Sequence, residues 1–542
     1  MPNEHTHLLT NGSAKDTAQD GASTPQVPRS LRLGTDLTLR ERWALLAGCF
    51  LAAFLATVDV TIVAALVQVI SADFHASERA GWLGTAFLLA NITFTPLYGR
   101  LCDILGRRLA NASAIALFTA GTVLCTVATT MNGLIIGRFV AGIGGGGIQT
   151  TLAVIISDLF SLRERALVSS IGSFLWAFGG ACGGPIGGIL SDWLGWRSAF
   201  GFQVPLLLLA LVTNFKLLNY DVEHARQGES MREKLKRIDS LGCFSLFITC
   251  ASTLTVLSLR NTDGRSWSDV RVLASTAVAA VAFVAFFVVE AFYATEPILP
   301  LAVFKRRIPF FTMMTTLSVA ICNFAVMYNL PLYFLTVEGT SASEAGEHLL
   351  FNSAGNAVGG IAAGITLHKT GLYRVPAAVL GLGGILGVML VFGLTPASPV
   401  ILKWLGIVPM GFSFIFMLNS TLTALLAFAH PGQVTGVGVS SAILQSALHA
   451  ALSSRIVGPG SAKIIERIRK DSSVISSLPE HLQQAARDSY ASALRSVFAF
   501  CAVFAFLAWL SCIFIPQLDL DKAHRPATNE ADRERQDEPR DR

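Results

Sequence analysis

Residues 54 to 70 read FLATVDVTIVAALVQVI, an apolar run with a single carboxylate, Asp59, near its centre. Extended to its charged borders at Arg42 and Asp73, the run forms a helix that, at about 1.5 Å of rise per residue, crosses a hydrocarbon layer roughly 30 Å thick. Asp59 then falls near the midplane, where a bare carboxylate is costly and has to face a partner or an aqueous cavity. The whole chain is written in this style. Of its 542 residues 52% are hydrophobic and 14% charged, and its mean hydropathy is +0.56. Such numbers exclude an ordinary soluble domain and predict an all-α polytopic membrane protein.

Fourteen stretches of spanning length, bounded by charges, Pro or Gly clusters, are expected. They lie near 43–70, 80–98, 109–130, 133–157, 166–190, 198–218 and 239–259, then 271–294, 309–335, 345–367, 374–394, 399–428, 432–456 and 496–515. Residues 1–40 are polar and contain no apolar signal core, so the first helix is expected to anchor the chain. Lys and Arg gather in alternate loops, among them Arg100, Arg107, Arg108, Arg163, Arg165, Lys234, Lys236, Lys305 and Arg306, which places both termini in the cytosol. The basic segment 457–495 then falls outside, as long loops do regardless of charge, and its IIERIRK and LQQAARDSYASAL stretches read as short surface helices. The net charge of +5 is mostly this orientation signal and predicts no nucleic-acid partner. Of nine cysteines, eight fall in spans and Cys102 on the cytosolic side, so no disulfide framework is implied.

The chain also repeats. GRLCDILGRR, residues 99–108, follows the second span, and GITLHKTGLYR, residues 364–374, follows the tenth. Gly99 and Gly106 have the spacing of Gly364 and Gly371, with basic residues after each pair. The common offset sets spans one to six against nine to fourteen and leaves two inserted helices. The division is a cytosolic tail 1–42, a six-helix bundle 43–218, a linker with the inserted pair 219–308, a second bundle 309–515 with the lumenal loop 457–495, and a cytosolic tail 516–542.

Several residues stand out chemically. Burial favours the neutral form of Asp59 and a nearby cation favours its carboxylate, which suits it to carry one proton; a permanent interhelical salt bridge is the plainer reading. Arg138 is the basic residue inside the fourth span. It is expected to reach toward Asp59 or to snorkel outward. GIGGGG, residues 142–147, matches a dinucleotide fingerprint in form only, having no strand before it. No acidic residue stands at the downstream distance that fingerprint needs; its glycines, like those of GGACGGPIGG at 179–188, admit close helix packing, and Gly184, Pro185 and Gly188 suit a bendable gate. Asp103 is placed to meet a helix N-terminus while Arg107 and Arg108 face anionic lipid, or simply set topology. Asn323, Tyr328, Asn329 and His449 are possible cavity-lining residues, although interhelical hydrogen bonding or packing explains them equally, and Glu290 is expected at the membrane interface. Glu4, Leu8 and Leu9 fit an acidic dileucine signal that a sorting adaptor would read. No HExxH, paired catalytic acids or Cys/His ligand spacing is found, so neither enzyme, metal nor cofactor is expected.

Together GRLCDILGRR, GGACGGPIGG, LATVDVTIVAAL and IIGRFVAGIGGGG resemble the motifs of the major facilitator superfamily, and fourteen helices resemble its drug/proton antiporter-2 group. GRFVAGIGGGG, SDLFSLRERA and SLPEHLQQAARDSYASAL resemble the fungal vacuolar transporters of basic amino acids. The resemblance implies the superfamily fold, proton coupling through Asp59 and Arg138, and a latch between halves at Gly99, Asp103, Gly106, Arg107 and Arg108. The second copy has His368 where the first has Asp103, so any acid-dependent role is confined to the first. The expected activity is exchange of lumenal protons for cytosolic Lys, Arg or His at the vacuolar membrane by alternating access. The alternatives are a plasma-membrane drug or toxin exporter and, in another class, an amino-acid sensor without net transport.

Overall fold

The computed structural model describes residues 39–76, 79, 81–218, 239–261, 268–294, 305–340, 342–420, 429–457, 461–470 and 472–517. Glu4, Leu8 and Leu9, with most of both tails and the linker 219–238, lie outside the described residues.

The helices are α1 Leu39–Asp73, α2 Gly81–Leu105, α3 Arg107–Val127, α4 Met131–Leu159 and α5 Leu162–Leu194. They continue with α6 Ser198–Leu217, α7 Ser240–Asn261, α8 Val270–Phe292, α9 Arg307–Tyr333, α10 Ala342–Thr370 and α11 Arg374–Phe392. The last are α12 Val400–Ser420, α13 Ala429–Arg455, α14 Ser461–Lys470 and α15 Glu480–Ile513. Every expected span carries a helix. Ten of those described are long and apolar enough to cross a membrane, fewer than the fourteen expected. The apolar part of α7, Ser240–Val256, is short, and α2, α10 and α13 are diluted by polar residues such as His348, Asn352 and Asn356 of α10.

Packing follows from small residues. In α4, Gly142 and Gly146 press on the backbone of α2 at Phe87 and Asn91, while Gly144 presses on α3 at Phe118 and Ala114. No side chain fits in either seam, so α4 is wedged between its two neighbours at backbone contact. α1 lies against α4, α5 and α6; α9, α13 and α15 form a second group, with α10, α11 and α12 beside it. The two groups meet directly where α5 packs along α10. α7, paired with α8, touches α2 on one side and α13 on the other.

One end of the bundle is marked by Arg107, bonded to Asp158, and by an apolar cluster of Ala166, Leu367, Tyr373 and Ile515. The other is marked by Asp73, which accepts from the Trp196 indole at 3.0 Å and from Arg197 at 3.3 Å. These bonds, the indole's foremost, hold the Asp73 carboxyl below the usual carboxylate range, so it stays ionised in a mildly acidic compartment.

The segment 457–495 differs from its expected form. LQQAARDSYASAL is no separate surface helix: it is the first half of α15, which runs unbroken from Glu480 to Ile513. IIERIRK forms α14, and its Ile465 and Ile468 are buried in the core of the second group. Tyr490 donates its hydroxyl to the Ile468 carbonyl at 3.1 Å, and Arg469 donates to Gln445 of α13 at 3.2 Å. Cys102 is likewise buried inside α2 rather than facing solvent, and all nine cysteines are free.

Candidate functional site

Asp59 and Arg138 meet. Arg138 Nη1 lies 2.5 Å from Asp59 Oδ2, with side-chain exposures of 2% and 0%. The guanidinium also donates from Nε to the Leu83 carbonyl at 3.4 Å and stands 4.5 Å over the Phe87 ring. Asp59 Oδ1 is buried without a hydrogen-bond partner. Arg138 therefore turns inward and does not snorkel. A carboxylate sealed this way holds one strong charge-assisted bond and one unused oxygen, so a proton has a place to land without first displacing the arginine.

The 99–108 loop is folded back on the protein. Arg107 donates from Nε to Asp158 Oδ2 at 2.9 Å and from Nη1 to Asp103 Oδ1 at 3.1 Å and to the Cys102 carbonyl at 2.9 Å. Arg108 stacks on the Phe215 ring of α6 at 4.2 Å. Arg107 is thus turned onto Asp158 and Asp103, and Asp103 does not cap α3, whose N-cap Gly106 makes no side-chain cap bond. Asp158, fifty-one positions from Arg107 in the chain, is the member that sequence reading missed. Gly106 has φ +84°, a conformation that an L side chain resists. Gly106→Ala is expected to cost about 1–3 kcal/mol, read as a lowered unfolding midpoint of the purified protein. A Cβ at Gly99 meets only Thr150 Cγ2 at 3.9 Å, so Gly99→Ala leaves that midpoint in place.

The second loop is held differently. His368 is exposed. Gln517 accepts from the Arg374 amide at 3.1 Å and donates to the Gly371 carbonyl at 3.3 Å, and Tyr373 donates its hydroxyl to the Pro516 carbonyl. Nearby, Gly364 of α10 lies against Ser170 and the Ala166 carbonyl of α5, and Asn419 donates to Ser173 at 3.2 Å. These contacts join the two helix groups at the Arg107 end.

Residues 49–454 match the family model of the Major Facilitator Superfamily. The chain belongs to that superfamily. Among curated relatives of this facilitator, Multidrug resistance protein fnx1 of Schizosaccharomyces pombe is 33% identical over 500 residues, covering 89% of this chain and 93% of the relative. Vacuolar membrane amino acid uptake transporter fnx2 of the same yeast is 28% identical, covering 88% and 84%. Vacuolar basic amino acid transporter 1 of Saccharomyces cerevisiae is 32% identical over 334 residues, covering 61% and 57%. In fold, the facilitator is similar to the proton:xylose symporter XylE, with TM-score 0.50 at 16% identity over 90% of this chain and 99% of that one. It is a membrane transporter, as its family and relatives are, and not an enzyme.

The α5 glycines of this facilitator divide between two faces. A Cβ at Gly183 meets Thr61 and, at 2.5 Å, the Val58 carbonyl, the residue before Asp59. Gly179 and Gly187 approach α1 at Phe54, Thr57 and Ile62 in the same way. Gly184 and Gly188 do not: the first has Ala65 Cβ at 4.0 Å and the second has nothing within 4 Å. Pro185 sits within α5, which continues through it to Leu194.

The remaining candidates stand in different surroundings. Asn323 lines a small crevice with Cys322, Met410, Ser413 and Met417, walled by α9, α11, α12 and α15. Asn329 is fully buried and donates to Ser440 of α13 at 3.0 Å, an interhelical bond. Tyr328 is exposed, and so is His449, which corrects its reading as a packed histidine. Glu290 is buried two residues from the end of α8.

Proposed function

We propose that this facilitator is a proton-coupled antiporter that moves basic amino acids, Lys, Arg and His, from the cytosol into the vacuole. The observation carrying the reading is the sealed Asp59–Arg138 pair with its free carboxylate oxygen. Support for the substrate class comes from two relatives named as vacuolar amino-acid transporters, one of them for basic amino acids. In this reading all fourteen helices cross the membrane, α1 to α6 and α9 to α15 (without α14) form the two moving halves, both termini are cytosolic, and an adaptor reads Glu4, Leu8 and Leu9.

The chemistry follows from one charge. A lumenal proton on Asp59 neutralises it and releases Arg138 to the Leu83 carbonyl and the Phe87 face, which loosens α1 from α4. Because Asp59 is sealed behind those groups, a cationic amino acid meets the carboxylate only once the pair opens, and proton and amino acid exclude each other. Exchange of one monocation for another moves no net charge, so each pH unit of gradient supplies about 1.4 kcal/mol and sustains roughly tenfold accumulation.

The test is uptake of labelled lysine, arginine and histidine into isolated vacuolar vesicles with the proton gradient present and then collapsed. Gradient-dependent uptake of at least one, lost in Asp59→Asn, is the expected result. Gradient-independent behaviour identical in both proteins would refute the assignment. A second reading, export of cationic drugs or toxins at the plasma membrane, is favoured by the relative named for multidrug resistance; fluorescent tagging of the native chain separates the two by location.

A further inference from the structure

Apart from the Asp59 pair, a second titratable side chain sits in a cage made by its neighbours. His348 of α10 is buried. Its imidazole lies between two aromatic faces, Phe334 with ring centroids 3.7 Å apart at 22°, and Trp404 at 3.9 Å and 17°. Nδ1 is 2.7 Å from the Glu344 carbonyl oxygen. A carbonyl only accepts, so Nδ1 carries a hydrogen and Nε2 is the nitrogen that gains or loses one.

Three elements converge on this ring: the π-helical turn Phe334–Glu338 that ends α9, α10 itself, and the opening turn of α12, Val400–Leu405. π turns are rare in proteins and concentrate at functional positions. The charged groups around the cage come from each of these. Glu338 on the π turn and Lys403 on α12 pair at 2.9 Å. Arg487 of α15 approaches Gly339 just beyond the π turn, within 3.5 Å of where a Cβ there would stand. Glu344 and Glu347 on α10 are exposed, and the turn Ser472–Ser477, which also packs on the π turn, brings no charge. One turn along the same face of α10, Asn352 is fully buried with neither amide atom partnered. Buried amides of this kind mark places where a protein admits water.

We propose that His348 is a proton-binding switch at the Asp73 end of the protein, distinct from Asp59. The neutral ring is an aromatic layer between Phe334 and Trp404; protonated at Nε2, it becomes a cation held by two π faces beside the Asn352 amide. The new charge sits between the turn that carries Glu338 and the turn that carries Lys403, so the charge state of the ring biases the ion pair tying α9 to α12.

Trp404 is the reporter, because a stacked imidazolium quenches indole fluorescence and a neutral imidazole does so far less. The full-length protein in lipid nanodiscs is titrated alongside Trp404→Phe, and the difference between the two spectra isolates Trp404. The expected result is a loss of that difference signal through a single transition between about pH 8 and 5, absent when His348→Gln is the background. Should that variant fold poorly, His348→Phe keeps a ring in the stack and removes the proton site, and is likewise expected to be flat. A difference signal independent of pH, or the same transition in a His348 variant, overturns the proposal. The readout is independent of the transported cation and of Asp59, so its failure and the failure of the antiport reading are separately visible.

Discussion

Replacing Arg138 with Leu abolishes gradient-driven uptake yet leaves a better-folded protein than replacing Asp59 with Asn. The asymmetry comes from what each survivor is able to do. Without Arg138, Asp59 is a fully buried acid with no cation beside it, and it takes up a proton and becomes neutral, which removes most of the cost of burial. Without Asp59, Arg138 has no such escape, since a guanidinium does not deprotonate in a protein. Its charge remains buried against the Leu83 carbonyl and the Phe87 ring. Leaving one member of a buried pair uncompensated costs about 3–5 kcal/mol, of which the Phe87 face recovers at most about 2. The double variant Asp59→Asn, Arg138→Leu carries no buried charge and is expected to regain the unfolding midpoint without regaining uptake. Midpoints of the purified proteins and gradient-driven uptake in vesicles measure the two effects independently. Additive losses of stability in the double variant, or coupled uptake by it, would contradict the coupling role given to the pair.

The pair was legible in the sequence because each member is isolated. Asp59 interrupts an apolar run, and Arg138 is the basic residue of its own helix, so each needs a partner that only the other supplies. The helices were legible for the related reason that a bilayer demands long apolar runs. Arg107 was not. Its partner Asp158 lies near the end of the next helix, and nothing local in GRLCDILGRR distinguishes an arginine that folds inward from one that faces lipid. His348 was invisible for the same reason, because Phe334 and Trp404 reach it from other elements. The length of α15 had a usable signal that hydropathy concealed: between Glu480 and Ile513 there is neither Gly nor Pro. Nothing therefore stops a polar first half from continuing into the apolar second. The glycines of α5 showed a four-residue spacing, but which face of the helix meets α1 is a tertiary fact.

That fact makes the other large prediction specific. Gly183→Ala places a methyl group against Thr61 and the Val58 carbonyl. The hydroxyl can rotate away, but the carbonyl is backbone and yields only if α1 moves off α5. Overpacking of this kind costs about 1–3 kcal/mol, and the strain falls on the residue next to Asp59, so uptake drops along with the unfolding midpoint. Gly184→Ala and Gly188→Ala meet no such contact in this conformation and are expected to keep the midpoint. If α5 closes against a neighbour on that open face during alternating access, both slow uptake while the resting protein stays as stable as before. The combination of unchanged stability and slowed transport would then identify Gly184 and Gly188 as belonging to a second conformation, whereas equal destabilisation at all three positions would mean that α5 is clasped on both faces and does not act as a gate.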